Sequence, residues 1–380
     1  MQRKYLALAL AFGVPASAFS QVPDLLNALD AGAGAMGSGG ALYATGGGTI
    51  SAHYNPAGLA FTNKTELGLA FRNLPLSNSA ATGDSANRNI STSGTPGKRS
   101  LTHFGYAAPL SSLGKKGSGV VALTYTVGGY VDDNQTSQTL KFGTLTAKNY
   151  KLLTKAQADY YTLSFAKYDT SKNMSIGIGL NYVRQKLSVS ESGVLVDGSN
   201  QAVTNLSTNN SENPYGYGVT LGIQGSARQD LSWGLSYQTP VSLKGNADTS
   251  TLYSKIPGRL LGGIALRRDG IRGSQDYLVY GLESAYYHGG KGSGVFDRTN
   301  QVVTNLGLEY NAFRYGGRIP IRVGYQAVNK GGDGFANRNT LTYGVGYRPE
   351  NGKYGVDLSF ASPQNGGFDV AIGLTYRFDK

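Results

Sequence analysis

The chain has 380 residues, and its 35 Lys and Arg outnumber its 23 Asp and Glu, which gives a formal net charge of +12 at neutral pH. It contains no cysteine, so disulfides, thiol catalysis and Cys-ligated zinc are excluded. The 55 glycines and 26 tyrosines favour sheet and tight packing over helix, and the basic residues are too dispersed to form a nucleic-acid patch.

The first residues have the three parts of a secretory signal peptide. Arg3 and Lys4 form the basic start, residues 5–14 are apolar, and residues 16–18 form a small-residue cleavage site. We expect residues 1–18 to be removed on export, which makes an anionic lipid layer a suitable neighbour for the basic chain. The apolar run is too short for an anchor helix, and the sequence has no later run long enough to span a bilayer as a helix.

Residues 32–60 are rich in Gly and Ala, nearly free of charge and poor in large apolar side chains. Such a segment cannot offset its own ordering entropy. It makes sense as a compact plug held by a larger structure. We therefore expect residues 19–64 to form a hatch and residues 65–380 to form the structure that surrounds it.

From Thr65 onward, large apolar residues alternate with small or polar ones. In the last such segment one face carries Phe368, Val370, Ile372, Leu374, Tyr376 and Phe378, and the other carries Asp369, Ala371, Gly373, Thr375 and Arg377. A period of two with aromatic ends is typical of a strand whose outer face meets lipid. One such strand would also fit a soluble sandwich, but the pattern recurs. Together with weaker segments near 101–107 and 160–166, it predicts fourteen strands.

The connections between these strands alternate in length. The long ones are 73–99, 128–158, 188–213 and 239–255, and the short ones include 169–172, 226–229 and 269–274. Outer-membrane barrels have long outer loops and tight periplasmic turns, whereas a soluble sandwich has no reason to alternate. The sequence thus predicts an all-β fold, a 14-stranded antiparallel transmembrane β-barrel in the bacterial outer membrane.

Glycine is frequent on the predicted inward face. The set comprises Gly68, Gly177, Gly179, Gly222, Gly234, Gly263, Gly281, Gly307, Gly324, Gly344, Gly346, Gly355 and Gly373. Because glycine weakens a strand, such a set indicates close approach by another backbone, although relief of crowding in a curved sheet is an alternative. A barrel of fourteen strands has room for a small folded segment, which places the hatch in the lumen.

Two short motifs lie within the predicted hatch. The first comprises Met36, Gly37, Gly39, Gly40 and Ala41, and the second comprises Asn55, Pro56, Ala57, Gly58 and Leu59. In local terms, Pro56 fixes φ, Asn55 begins a turn and Ala57 permits tight packing. Residues 36–60 resemble the hatch of the FadL family of outer-membrane transporters for hydrophobic compounds, and the resemblance extends over the mature chain.

The resemblance implies uptake of fatty acids or hydrocarbons by passive diffusion past the hatch, without a cofactor. It also implies that Asn55–Leu59 abut an inward kink of the wall and help to gate a lateral exit. The expected partners are a hydrophobic small molecule, outer-membrane lipid and, through the C-terminal strand, the barrel-assembly machinery. Two features depart from the family: the connection 188–213 is polar, and the chain ends in Asp379 and Lys380 instead of an aromatic residue.

Several charges fall on the inward face, among them Arg72, Arg259, Glu283, Glu309, Arg322 and Arg377. We expect them to pair with one another and with the hatch backbone, because unpaired charges in a narrow lumen are costly. They could instead line a polar path, as in a porin for polar solutes. The polar outer loops leave a further alternative, a surface scaffold or a partner in secretion or adhesion.

The sequence does not point to an enzyme or to a metal site. His53, His103 and His288 are far apart, and the strand pattern places no Ser or carboxylate beside them. We expect a protein without catalytic residues.

Overall fold

The structure is a computed structural model that describes residues 31–73, 90–92, 99–113, 119–142, 144–245, 255–271, 275–288, 300–329, 338–363 and 368–378. The predicted signal peptide and residues 19–30 of the predicted hatch lie outside the described residues. The helical elements that it describes are Ala33–Gly37, Ser51–Tyr54, Pro56–Phe61 and Leu110–Leu113. Within these ranges no helix is long and apolar enough to cross a membrane.

The described residues contain eighteen strands, numbered here in chain order. They are β1 (Thr65–Asn73), β2 (Ile90–Thr92), β3 (Arg99–Pro109), β4 (Val120–Phe142), β5 (Leu145–Asp169), β6 (Met174–Val196), β7 (Ala202–Glu212), β8 (Tyr215–Arg228), β9 (Leu231–Gln238), β10 (Val241–Ser242), β11 (Lys255–Ile256), β12 (Gly258–Asp269), β13 (Tyr277–His288), β14 (Gln301–Arg314), β15 (Gly317–Val328), β16 (Arg338–Pro349), β17 (Tyr354–Pro363) and β18 (Asp369–Phe378).

Fourteen of these strands close into one antiparallel barrel. Their order is β1, β3, β4, β5, β6, β8, β9, β12, β13, β14, β15, β16, β17 and β18. The ring closes where β18 pairs with β1, from Thr65↔Phe378 to Arg72↔Ala371. The predicted fourteen-stranded barrel is confirmed, because the period of two sets which face of each strand is apolar and therefore its register.

The two faces of the wall differ as the alternation predicts. Large apolar side chains stay exposed on the outside, for example Leu123, Leu163, Ile178, Leu221, Ile264, Leu306, Val345 and Leu374. Aromatic residues lie at both ends of this apolar band, with Tyr161 and Tyr182 (ring centroids 5.9 Å apart) at one end and Tyr376 and Phe378 (4.9 Å) at the other. This is the arrangement that a membrane requires of a barrel surface.

Two of the long connections differ from the expected loops, whereas 73–99 and 239–255 lie largely outside the described residues. β4 and β5 stay paired as far as Phe142↔Leu145, and β6 pairs with β7 from Leu187↔Glu212 to Val196↔Ala202. These hairpins, with β2 at one edge, form a sheet that extends beyond the barrel. Residues 128–158 and 188–213 are therefore mostly strand. Ser, Thr, Asn and Lys carry the alternation there, so a search for large apolar residues at every second position passes over these strands.

Candidate functional site

The N-terminal segment, residues 31–64, lies against eleven of the thirteen glycines singled out in the sequence. A methyl group on Gly234 would overlap the carbonyl oxygen of Ala44, and one on Gly222 would overlap Oδ1 of Asn55. At the other nine an added methyl would come within 4 Å of the segment; they are Gly68, Gly177, Gly179, Gly263, Gly281, Gly307, Gly324, Gly344 and Gly373. Gly346 and Gly355 face Asp357 and Arg348 instead.

The N-terminal segment touches all fourteen strands of the barrel, from Thr49 beside Gly68 of β1 to Ala33 beside Gly373 of β18. Because those strands form a closed ring, the segment lies within it. Tyr43 and Tyr54 stack on each other at its centre, with ring centroids 3.6 Å apart. The close approach depends on wall residues without side chains.

Asn55 joins two parts of the N-terminal segment to the wall. Its Nδ2 donates to the carbonyl oxygens of Ala44 (2.7 Å) and Ile223 of β8 (3.2 Å). Its Oδ1 accepts a hydrogen bond from the Ala57 backbone N–H (3.2 Å) and caps the helix that Pro56 begins. The side chain of Asn55 thus fixes this turn both to Ala44, earlier in the segment, and to the barrel.

The remaining motif residues pack behind this turn. Gly58 lies against the Gly46 carbonyl and the Ser51 side chain, where a larger residue would not fit. Leu59 is fully buried in a cluster that includes Ala107 of β3 and Ala122 of β4. The structure therefore brings Asn55, Pro56, Ala57, Gly58 and Leu59 together, with the turn itself against β6 and β8.

The wall is discontinuous between β3 and β4. Their pairing runs from Pro109↔Val120 only to His103↔Thr126, although β4 continues for sixteen residues beyond Thr126. Just past this point Gly128 is an extra residue opposite β5, and Thr102 is an extra residue opposite β1. A β-bulge bends its strand and interrupts the ladder, so this part of the wall has a break in its backbone hydrogen bonds.

His53 of the N-terminal segment lies at this break. Its ring meets that of Tyr160 edge-on, with centroids 4.8 Å apart, and a methyl on Gly128 would lie 3.4 Å from it. The carbonyl of His53 accepts a hydrogen bond from Arg259 Nη2 (2.7 Å). Its Nδ1 is buried and has no hydrogen-bond partner among the described residues. From the sequence, His53 was considered only as a member of a catalytic triad or metal site. The one feature that could have indicated its position at the break is that it lies two residues before Asn55.

The buried His53 should make the seating of the N-terminal segment sensitive to acid. Burial, together with Arg259 and His103, holds the pKa of His53 well below its ordinary value of 6.5. Below about pH 6.5 the unfolded chain binds a proton there that the folded chain does not, so stability falls on acidification, by up to about 2 kcal/mol at about pH 5. The measurement is the urea midpoint of unfolding above about pH 6.5 and at about pH 5. In His53→Phe the fall in this midpoint on acidification should be smaller by the amount that His53 contributes.

His288→Phe is the matched control for this prediction. His288 is only half-buried at the far end of β13, where it stacks on Tyr237 with centroids 5.8 Å apart. The control keeps His53, so it should keep the part of the acid response that His53 contributes. An unchanged pH response in His53→Phe would show that the ring does not control seating.

Arg322 is the centre of a buried ion network at one end of the lumen. Its guanidinium bonds Glu309 (2.5 Å) and Asp357 (2.6 Å), and Arg348 bonds the same Asp357 (2.9 Å). The Arg322 side chain is only 3% exposed. Losing one partner would leave a buried charge uncompensated, which typically costs several kcal/mol.

The other inward charges named from the sequence also have partners. Arg72 pairs with Asp369 (3.0 Å), and Arg377 pairs with Glu66 (2.9 Å), which in turn accepts a hydrogen bond from the Thr49 N–H (3.0 Å). Glu283 accepts a hydrogen bond from the Ala44 N–H (2.6 Å). Glu66, Glu283 and Arg259 thus attach the N-terminal segment to the wall at three points, whereas the Arg72–Asp369 pair joins β1 to β18.

A cavity of about 440 Å³ opens between the N-terminal segment and the wall at the end that carries the short turns. Its charged lining consists of Glu66, Glu309, Arg322, Arg348, Asp357 and Arg377. The remaining lining includes the backbone of residues 46–48 and the start of β17. Near it, both ring nitrogens of His103 are held, by Thr49 and Thr126 (3.0 Å each). No group of side chains suited to a metal ion occurs within the described ranges.

A closed fourteen-stranded barrel with an apolar outer band and an occupied lumen belongs to the class of outer-membrane barrels. No family model matches the chain, and a sequence search of curated proteins finds no match. Solved structures do match. The Ralstonia pickettii toluene transporter TbuX is 14% identical, with 92% of this chain and 98% of that chain covered and a TM-score of 0.60.

Two further structures resemble the chain to the same degree. A Pseudomonas aeruginosa FadL homologue is 13% identical over 92% of this chain and 98% of that chain, with a TM-score of 0.62. The Pseudomonas putida toluene transporter TodX is 11% identical over 94% and 100%, with a TM-score of 0.58. The chain therefore has the fold of FadL-type outer-membrane transporters, which confirms the resemblance predicted from residues 36–60 at the level of the fold.

Proposed function

We propose that this protein takes up hydrophobic small molecules, such as hydrocarbons or fatty acids, through the outer membrane by passive diffusion. The observation that carries the proposal is a lumen occupied by residues 31–64 beside a wall whose backbone pairing is interrupted. An apolar solute that enters the barrel from the outer side would then pass through this interruption of the wall directly into the lipid. The fold shared with structures described as toluene transporters supports the same function.

The proposed exit lies between β3 and β4, where Gly128 and Thr102 bulge. Thr102 Oγ1 donates to the carbonyl oxygens of Ala31 (3.0 Å) and Ala70 (3.3 Å), so the same residue joins the wall to the N-terminal segment. His53 covers the break from within. In this proposal the N-terminal segment, including the turn at Asn55 that packs against β6 and β8, shifts away from the wall and uncovers the break.

A polar lumen favours one alternative, a porin for polar solutes. The cavity at the short-turn end is lined by three arginines and three carboxylates, and an apolar molecule gains little there. If that cavity were on the path, the solute would be polar and the path would run along the barrel axis. The two functions differ in the solute and in electrical conductance.

An uptake assay separates these functions. A strain that lacks the gene, with and without a plasmid copy, is given radiolabelled toluene, oleate or a small sugar at limiting concentration. We expect the plasmid to restore uptake of toluene or oleate and to leave sugar uptake unchanged, and we expect the purified protein to conduct few ions in planar bilayers. Restored sugar uptake together with a stable conductance would identify a polar-solute porin and overturn the proposal.

A further inference from the structure

The outer aromatic band marks one boundary of the membrane on the β4–β8 side of the barrel. Tyr161 and Tyr182 have ring centroids 5.9 Å apart, and Tyr182 and Tyr217 have centroids 5.5 Å apart. Tyr217 is 71% exposed. Tyrosines at such a position lie at the level of lipid headgroups. This band is at the end of the barrel that carries the long hairpins.

Basic residues follow directly beyond this band on the same outward face. Along β6 the exposed residues Ile178, Leu180 and Tyr182 are succeeded, at the same period of two, by Arg184 and Lys186. Strand pairing adds basic neighbours. Tyr215 of β8 is the register partner of both Arg184 and Lys244. On β5, Gln157 is the register partner of Lys186. Further along the outward face of β5, at the same period of two, Lys155 and Lys151 are also exposed. We call Lys151, Lys155, Arg184, Lys186 and Lys244 the basic belt.

The carboxylates near the basic belt do not cancel it. Asp159 is fully buried; its Oδ1 accepts hydrogen bonds from Tyr125 Oη (3.0 Å) and Gln157 Nε2 (2.6 Å), and its Oδ2 forms an ion pair with Lys186 Nζ (2.9 Å). The Lys186 side chain is nevertheless 52% exposed. Asp159 can neutralise only one of the five cations of the belt.

We propose that the basic belt binds the phosphate groups of outer-leaflet lipids whose headgroup is a phosphorylated sugar. The cations lie beside the wall at headgroup level, where such phosphates are concentrated, and the tyrosines below them would pack against the first part of the acyl chains. Lysine ammonium and arginine guanidinium groups both bind phosphate oxygens, and each adds about 1 kcal/mol near an anionic surface. The inference depends on outer-membrane placement and not on the transported solute.

The test uses Lys155→Gln/Arg184→Gln, which leaves the Lys186–Asp159 pair intact. The matched control is Lys172→Gln/Arg228→Gln, which removes two exposed charges from the short turns at the opposite ends of β5, β6 and β8. Each purified barrel in detergent is titrated with diphosphorylated lipid A, and bound lipid is counted by native mass spectrometry. We expect affinity to fall about thirtyfold in the belt variant and to stay unchanged in the control.

Two further arms identify the contact. Dephosphorylated lipid A should bind the unaltered protein as weakly as the diphosphorylated lipid binds the belt variant. EDTA should not weaken binding, because the phosphates meet side chains and not bridging cations. Heat-dependent gel mobility, which reports the folded barrel, must be equal in all variants. Equal lipid binding by the belt variant and the control, or full binding of the dephosphorylated lipid, would overturn the proposal.

Discussion

Gly234→Val is expected to prevent the N-terminal segment from seating in the barrel. A Cβ at this position would overlap the carbonyl oxygen of Ala44 and would lie 3.0 Å from Nδ2 of Asn55. Neither the Ala44 carbonyl nor the Asn55 amide can move away cheaply, because Nδ2 of Asn55 donates a hydrogen bond to the Ala44 oxygen (2.7 Å). Overpacking against fixed backbone costs about 3 kcal/mol or more, so the urea midpoint should fall sharply and the segment should become sensitive to added protease.

Gly355→Val is the matched control. Gly355 also faces the lumen, from β17, but its nearest neighbour is Cγ of Arg348, 3.5 Å from an added Cβ, which is an ordinary contact. This variant should unfold close to the unaltered protein and keep its segment protected. Gly222→Val, where the added atom would meet Oδ1 of Asn55, should behave as Gly234→Val does. A Gly234→Val barrel with an unchanged midpoint and a protected segment would show that the wall and the segment are not so close.

Much of the barrel could be predicted because each strand carries its own local signal. The alternation of Ile176, Ile178 and Leu180 with Gly177 and Gly179 assigns a face to every residue without knowledge of the neighbouring strands. The outer hairpins lack this signal. Their strands stand clear of the membrane, where Ser, Thr and Asn satisfy the outward face as well as apolar residues would. The alternation pattern therefore predicted residues 128–158 and 188–213 as loops.

The candidate site was less accessible, because its contacts join distant parts of the chain. The motif at Asn55 could be recognised, but its bond to Ile223 spans 168 residues and depends on how the segment is oriented in the ring. That Arg72 would need a carboxylate follows from charge and burial, whereas its pairing with Asp369, 297 residues away, follows only from ring closure. The sequence does not show that Gly128 is the bulged residue, because a second glycine, Gly129, follows it directly.

A disulfide between residues 33 and 373 is expected to abolish uptake while the barrel stays folded. A Cβ at Gly373 would lie 3.1 Å from the Cβ of Ala33, and its other neighbours within 4 Å are the Cβ of Asp357 (3.6 Å) and the Ala33 nitrogen (3.9 Å). The Cβ atoms of a disulfide are about 3.5–4.5 Å apart, so a small shift suffices. Because the chain has no cysteine of its own, Ala33→Cys/Gly373→Cys contains a single possible pair.

The oxidised and reduced forms of this variant separate movement of the hatch from its mere presence. If the N-terminal segment must leave its seat to open the break between β3 and β4, oxidation should stop uptake of toluene or oleate, and a reductant should restore it. Each single variant, treated with the same oxidant, should transport normally. Full uptake by the oxidised pair would mean that solute passes a segment that stays attached to β18, and gating by displacement of the whole hatch would then be wrong. Loss of uptake in both the oxidised and the reduced form, with a folded barrel, would instead mean that the substitutions themselves impair transport. In that case the Gly373→Cys single variant should also fail to take up the solute.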